Sequence, residues 1–152
     1  MLYLGSDHAG FKLKEEIKNY LVELGYEIKD FGAFEYNEND DYPDFILPVV
    51  KEVAFRQAQG EYNTFGIVFG GSGQGEAMVA NRFAGIRAAV LYDYNEDIIK
   101  FSREHNDANI LSFGARFISA EDAKKAVRLW LETKFSGEER HKRRIEKMDS
   151  IK

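Results

Sequence analysis

Residues 65–69, Phe-Gly-Ile-Val-Phe, form an uninterrupted apolar run that passes directly into Gly70-Gly71-Ser72-Gly73-Gln74-Gly75-Glu76. A run without polar alternation is what a parallel strand buried on both faces requires. The glycines let the backbone turn sharply and approach a bound group, and residues up to Arg82 have helical spacing. Buried strand, glycine turn and helix in that order restrict the chain to α/β architectures with a parallel sheet.

The rest of the chain repeats the alternation. Residues 2–5 are apolar and end in Ser6-Asp7-His8-Ala9-Gly10, a strand entering a polar turn. Phe11, Leu13, Ile17, Tyr20, Leu21 and Leu24 lie mostly three or four apart, which predicts an amphipathic helix that Gly25 ends. Residues 26–31 alternate like a second strand, and the acidic segment around 35–42 is a loop. Phe45, Val49, Val53 and Ala54 predict a helix over 44–59, with Pro43 near its start and Pro48 placed to bend it. Two more strands are expected at 86–92 and 110–113, and helices at 95–104 and 119–133. Ser119 and Asp122 are placed like a capping box on the second of these helices. A basic helix follows Gly137, and Phe11, Phe65, Phe69 and Trp130 read as core. No repeat or linker interrupts the 152 residues, so one domain is expected. In such sheets ligands bind beyond the carboxyl ends of the strands, which points to Asp7-His8, the glycine loop and Asp93.

Composition excludes several chemistries. The chain has no cysteine, so it forms no disulfide, Cys-ligated zinc site, iron–sulfur cluster or thiolate nucleophile. The formal net charge of −5 argues against nucleic acid as the main partner. No apolar run approaches the roughly 18–20 residues that cross a bilayer. The opening residues lack the basic region of a signal peptide, so a cytoplasmic location is expected.

Two common phosphate motifs fail at the glycine loop. A Walker A loop would end in Gly-Lys-Ser/Thr, whereas this one ends Gly75-Glu76. A Gly-x-Gly-x-x-Gly reading needs glycine at Glu76 or at Ser72. Neither ATP nor NAD is therefore indicated. A carboxylate just after a glycine cradle can act as a base toward a proton beside a carbonyl, with loop amides and Ser72 facing the developing oxyanion. The same residues also suit a plain strand-to-helix turn with an acidic first-turn residue. Spacing alone leaves both open.

Over nearly its whole length the chain resembles the family of type B ribose-5-phosphate isomerases and galactose-6-phosphate isomerases. The matching segments begin with Gly5-Ser6-Asp7-His8-Ala9-Gly10-Phe11 and Asp41-Tyr42-Pro43. They continue with residues 66–81 running into Arg82, and with Gly85-Ile86-Arg87-Ala88. Residues 103–109 (Arg-Glu-His-Asn-Asp-Ala-Asn) and 140–145 (Arg-His-Lys-Arg-Arg-Ile) complete the set. The resemblance implies a Rossmann-like three-layer α/β/α sandwich on a five-stranded parallel sheet, order 2-1-3-5-4, with a C-terminal helix. It implies a homodimer with active sites shared between subunits, dimers that can pair into tetramers, and no metal or cofactor.

One branch of the family uses a cysteine base at the position of Gly70. The other carries glycine there and a glutamate at the position of Glu76, as this chain does. Carried over, Glu76 takes the C2 proton of an open-chain aldose and returns it to C1. His105 is a proton donor in ring opening. Asp7 and His8 contact sugar hydroxyls or assist that opening. Gly71, Ser72, Gly73, Gln74 and Gly75 hold the enediolate side, and Asn106 binds substrate. Arg116, Arg140 and Arg144 hold the phosphate. Arg140 and Arg144, four apart, share one helix face, and Tyr42 and His141 line the same pocket. The implied reaction is ribose 5-phosphate to ribulose 5-phosphate, in pentose phosphate metabolism. The alternatives are the same chemistry on a six-carbon phosphate (allose or galactose 6-phosphate), a non-catalytic sugar-phosphate binder, and, more weakly, a nucleotide-binding module.

Overall fold

The computed structural model describes residues 1–151. Strands and helices alternate: β1 (Leu2–Ser6), α1 (Phe11–Glu23), β2 (Ile28–Asp30), α2 (Tyr42–Ala58), β3 (Phe65–Gly70), α3 (Gln74–Ala80), β4 (Ala88–Leu91), α4 (Glu96–Glu104), β5 (Ile110–Gly114), α5 (Ala120–Glu132) and α6 (Glu139–Asp149). All strand pairs are parallel and the sheet order is β2-β1-β3-β5-β4, as the resemblance implied.

The central strands are apolar throughout because both of their faces are covered. On one face Leu4, Ile17, Phe69, Phe113 and Trp130 are fully buried among α1, α4 and α5. On the other, Tyr3, Ile46, Val49, Val68 and Ile110 pack with α2 and Ala80 of α3. These two cores make the three layers. Of the four aromatics expected in the core, Phe69 and Trp130 are buried, whereas Phe11 and Phe65 are only partly so.

Both edge strands are shorter than their sequence windows. β2 lies at one edge beside β1 and β4 at the other beside β5, and backbone bonding runs just past β2: Glu27 O accepts from Leu2 N–H and Phe31 N–H donates to Leu4 O, both at 2.8 Å. Helix α2 continues through Pro48, with its buried stripe Ile46, Val49, Val50 and Val53 holding it on the sheet. Only half of the expected capping box forms. Ser119 Oγ accepts from the Asp122 main-chain N–H at 3.1 Å, while the Asp122 carboxylate pairs with Lys125.

Several strings that carried the resemblance are braces. The Asn81 side chain accepts from Ala88 N–H at 2.8 Å and donates to its carbonyl at 3.1 Å. Asn109, 1% exposed, accepts from Arg87 N–H at 2.8 Å and donates to Gly85 O at 2.7 Å. Asp107, with φ +45°, accepts from Arg103 at 2.8 Å and Arg87 at 3.2 Å. The Asn81 contacts tie the end of α3 to β4, and those of Asn109 and Asp107 tie the turn after α4 to the amino edge of the sheet.

Candidate active site

The turns after β1 and β3 meet at the carboxyl edge of the sheet. They enclose a cavity of about 350 Å³ lined by Asp7, His8, Tyr42, Gly71, Ser72, Gly75, Glu76, Arg116 and Phe117. That volume lies in the range of small-molecule pockets, roughly 300–1,000 Å³. The glycine loop is pinned to β5. Gly70 and Gly71 carbonyls accept from Ala115 and Arg116 N–H at 2.8 and 3.1 Å, and Ser112 Oγ donates to Gly73 O at 2.6 Å. Gly73 turns the chain into α3 with φ +74°, a conformation that favours glycine. Ser72 Oγ accepts from Gln74 N–H at 3.3 Å.

Glu76 is 4% exposed. Burial pushes its carboxyl above the ordinary range, its own main-chain N–H partly offsets this, and the nearby Asp7 charge adds to it. The carboxylate lies back over Gly70: a Cβ built there would stand 1.8 Å from Glu76 Oε1. Only a residue without a side chain leaves room for it. Asp7 Oδ1 accepts from Gly10 N–H at 3.0 Å. His8 Nδ1 lies 2.6 Å from Asp40 Oδ1. Arg116 is exposed and makes no ion pair among the described residues, so its charge is free for an anion.

Among the described residues, Asp7, His8 and Asp40 are the one grouping whose side chains bring potential metal-ligand atoms together, within 4.8 Å. The His8 ring nitrogen is already bonded to Asp40, so the group forms a hydrogen-bonded pair beside a carboxylate.

The structure does not gather the sequence candidates in one place within a single chain. Asp7, His8, Gly71, Ser72, Gly75, Glu76 and Arg116 line the pocket. Gly73 is buried beneath it and Gln74 faces outward. Asp93 does not line it. His105 and Asn106 lie at the end of α4, which runs back from the carboxyl edge to the amino edge. The Asn106 carbonyl accepts there from Arg87, just before β4, at 3.0 Å. The His105 ring stacks on Phe101 at 4.5 Å and on the buried His141 of α6 at 4.4 Å between centroids. Arg140 and Arg144 are exposed on α6, and Arg140 pairs with exposed Glu138 at 2.8 Å. The six-residue strand β3, about 20 Å long at 3.3 Å per residue, spans the distance between the two edges.

Sequence reasoning missed Asp40, which sits in a loop read only as acidic, and missed that Gly70 makes the space Glu76 occupies. A carboxylate two residues before the Tyr42-Pro43 helix start gives no signal by itself.

Comparison with known proteins fits this geometry. The Ribose/Galactose Isomerase family profile matches residues 2–148. Ribose-5-phosphate isomerase B of Escherichia coli (strain K12) is 41% identical over 148 residues, covering 97% of this chain and 93% of that one. The solved structure of the Clostridium thermocellum ribose-5-phosphate isomerase B superposes with a TM-score of 0.88 at 43% identity, covering 99% and 95% of the two chains. The Mycoplasma genitalium ribose-5-phosphate isomerase B with bound ribulose-5-phosphate gives 0.89 at 33% identity, covering 97% and 93%. Matched along its length, from the β1 turn through the glycine loop to α6, this chain belongs to the ribose/galactose isomerase family.

Proposed function

We propose that the chain interconverts ribose 5-phosphate and ribulose 5-phosphate through an enediolate, with Glu76 as the base. The observation that carries this is a buried carboxylate with raised proton affinity, held over Gly70 in a pocket that also presents Arg116. A weak carbon acid needs a base of this kind: one less solvated than an exposed glutamate and fixed in place. Glu76 takes the C2 proton of the open-chain aldose, and the C2–H electron pair becomes the C1=C2 bond of the enediolate. The negative charge on oxygen faces Ser72 and the loop amides. Glu76 then delivers the proton to C1, and the ketose forms. As pH rises through its raised value Glu76 becomes the free base, so activity rises over a window above the ordinary carboxylate range.

The relatives carry the choice of a five-carbon phosphate. A protein of this family and shape has been solved with ribulose-5-phosphate bound.

The site is completed by a second copy of the chain. His105, Asn106, Arg140 and Arg144 stand at the amino edge and cannot reach the pocket of their own chain, so in a homodimer they serve the partner's pocket. The exposed aromatics Tyr36, Tyr92 and Phe117 beside the pocket supply apolar surface for that contact. His105 is then the proton donor in ring opening, Asn106 a substrate ligand, and Arg116, Arg140 and Arg144 the phosphate clamp. The enzyme works in the cytoplasm, where phosphorylated sugars are retained because their charge bars them from the bilayer.

The test is Glu76→Gln, which keeps the shape and removes the base. Exchange of the ribulose 5-phosphate C1 hydrogen with solvent deuterium is expected to collapse while sugar-phosphate binding survives. Undiminished exchange would reassign the base. Comparable turnover of allose 6-phosphate would widen the substrate.

A further inference from the structure

The acidic loop between β2 and α2 carries a side chain with no role in the chemistry above. Asp40 reaches back to His8. Its Oδ1 accepts from the His8 main-chain N–H at 3.1 Å and lies 2.6 Å from ring Nδ1. The Asp40 side chain is 7% exposed. Its Oδ2 is buried without a partner among the described residues.

An ionised carboxylate only accepts hydrogen bonds. Neutral His8 must therefore carry its proton on Nδ1 and present Nε2 as a bare lone pair. His8 lines the same pocket as Glu76 and Arg116. The other titratable groups facing its ring are Asp7, whose Oδ2 is 4.0 Å from Nδ1, and Tyr36, edge-on at 5.8 Å between centroids. Asp7 has its Oδ1 committed to Gly10 N–H.

We propose that Asp40 is a positioning residue that fixes His8 as the base for opening the sugar ring. This rests on the isomerase reading above. A pentose 5-phosphate aldose is mostly a closed furanose. Its ketose isomer has no free hydroxyl with which to close such a ring and stays open-chain. The aldose therefore needs a step that the ketose does not. His8 Nε2 takes the proton of the anomeric hydroxyl, and the freed pair on O1 forms the C1=O1 carbonyl. The C1–O4 bond breaks with its electrons going to O4, which receives a proton from His105 of a second chain. Asp40 holds a counter-charge against the imidazolium so formed, as an aspartate does behind the histidine of a hydrolase triad.

Asp40→Asn keeps the shape, but its amide can donate to Nδ1 and release the tautomer. With ribose 5-phosphate, kcat is expected to fall by about tenfold to a hundredfold with little change in KM. Exchange of the ribulose 5-phosphate C1 hydrogen with solvent deuterium, which bypasses ring opening, should stay close to wild type. Equal loss in both assays, or loss in neither, overturns the proposal. The double variant His8→Asn/Asp40→Asn should be no slower than His8→Asn alone, and additive losses also overturn it. Should Asp40→Asn fail to fold, nitrogen NMR of the wild-type His8 ring reads the tautomer directly. A protonated Nδ1 with a bare Nε2 supports the proposal, and the reverse refutes it. A wild type inert toward both sugar phosphates removes the isomerase reading, and this step with it.

Discussion

Gly70→Ala separates the position of the Glu76 carboxylate from its presence. The added Cβ would lie 1.8 Å from Glu76 Oε1, 2.1 Å from Cδ and 2.6 Å from Oε2. Real Cβ contacts essentially never fall under 3.0 Å, so Oε1 must retreat by at least about 1.2 Å. The colliding atoms end a flexible side chain, so Glu76 swings away rather than the strand giving. Stability should stay within about 1 kcal/mol of wild type. Catalysis is less forgiving, because a proton is transferred between atoms about 3–3.5 Å apart and a misplacement of about 1 Å costs on the order of a hundredfold. The expectation is a fall in kcat of about a hundredfold, near 2.7 kcal/mol of barrier, with KM little changed. The assay is ribose 5-phosphate turnover paired with a thermal melt. Near-wild-type kcat would refute the placement of the base, and a collapse in Tm would refute the claim that only a side-chain end is in the way.

Glu76 also links activity to stability. Its carboxyl sits above the ordinary range when folded, so over the window from that range up to its raised value the folded chain holds a proton that the unfolded chain has released. This contribution is therefore present at low pH and is lost as pH rises through the window. Glu76→Gln should be more stable than wild type at neutral pH, and the difference should vanish in acid, as paired melts across pH would show. A constant difference would contradict the assignment. Gly10→Ala should act on the fold instead. Its Cβ would meet the Phe69 main chain at 2.4 Å, and neither backbone can give. A loss of about 1–3 kcal/mol or more in denaturant unfolding is expected, and an unchanged midpoint would show that the turn after β1 is looser than described.

The elements were legible where burial leaves one solution. The run at 65–69 has to be a doubly covered strand, and it is β3. The helical stripes of α1, α2 and α5 likewise appear where the spacing puts them. Strand ends were less legible, because where β2 and β4 stop depends on a neighbour's backbone that no local pattern encodes. The site was legible in its residue types but not in its assembly. Glu76, Asp7 and His8 follow strand ends and converge, as the carboxyl-edge rule requires. His105 sits across the sheet because α4 must return before the parallel strand β5 can start, and Arg140 is beside it because His141 of α6 stacks on the His105 ring. That consequence was present in the alternation of elements, although the motifs by themselves hid it. Asp40 was illegible because its function comes from a contact 32 residues away along the chain.

A crystal structure with ribulose 5-phosphate bound bears most directly on how the buried carboxylate and the two edges of the sheet cooperate. C1 and C2 should lie within about 3.5 Å of the Glu76 carboxylate. The phosphate should be gripped by Arg116 of one chain together with Arg140 and Arg144 of a second. A sugar whose reacting carbons face another base, or a phosphate held within one chain alone, would contradict the account.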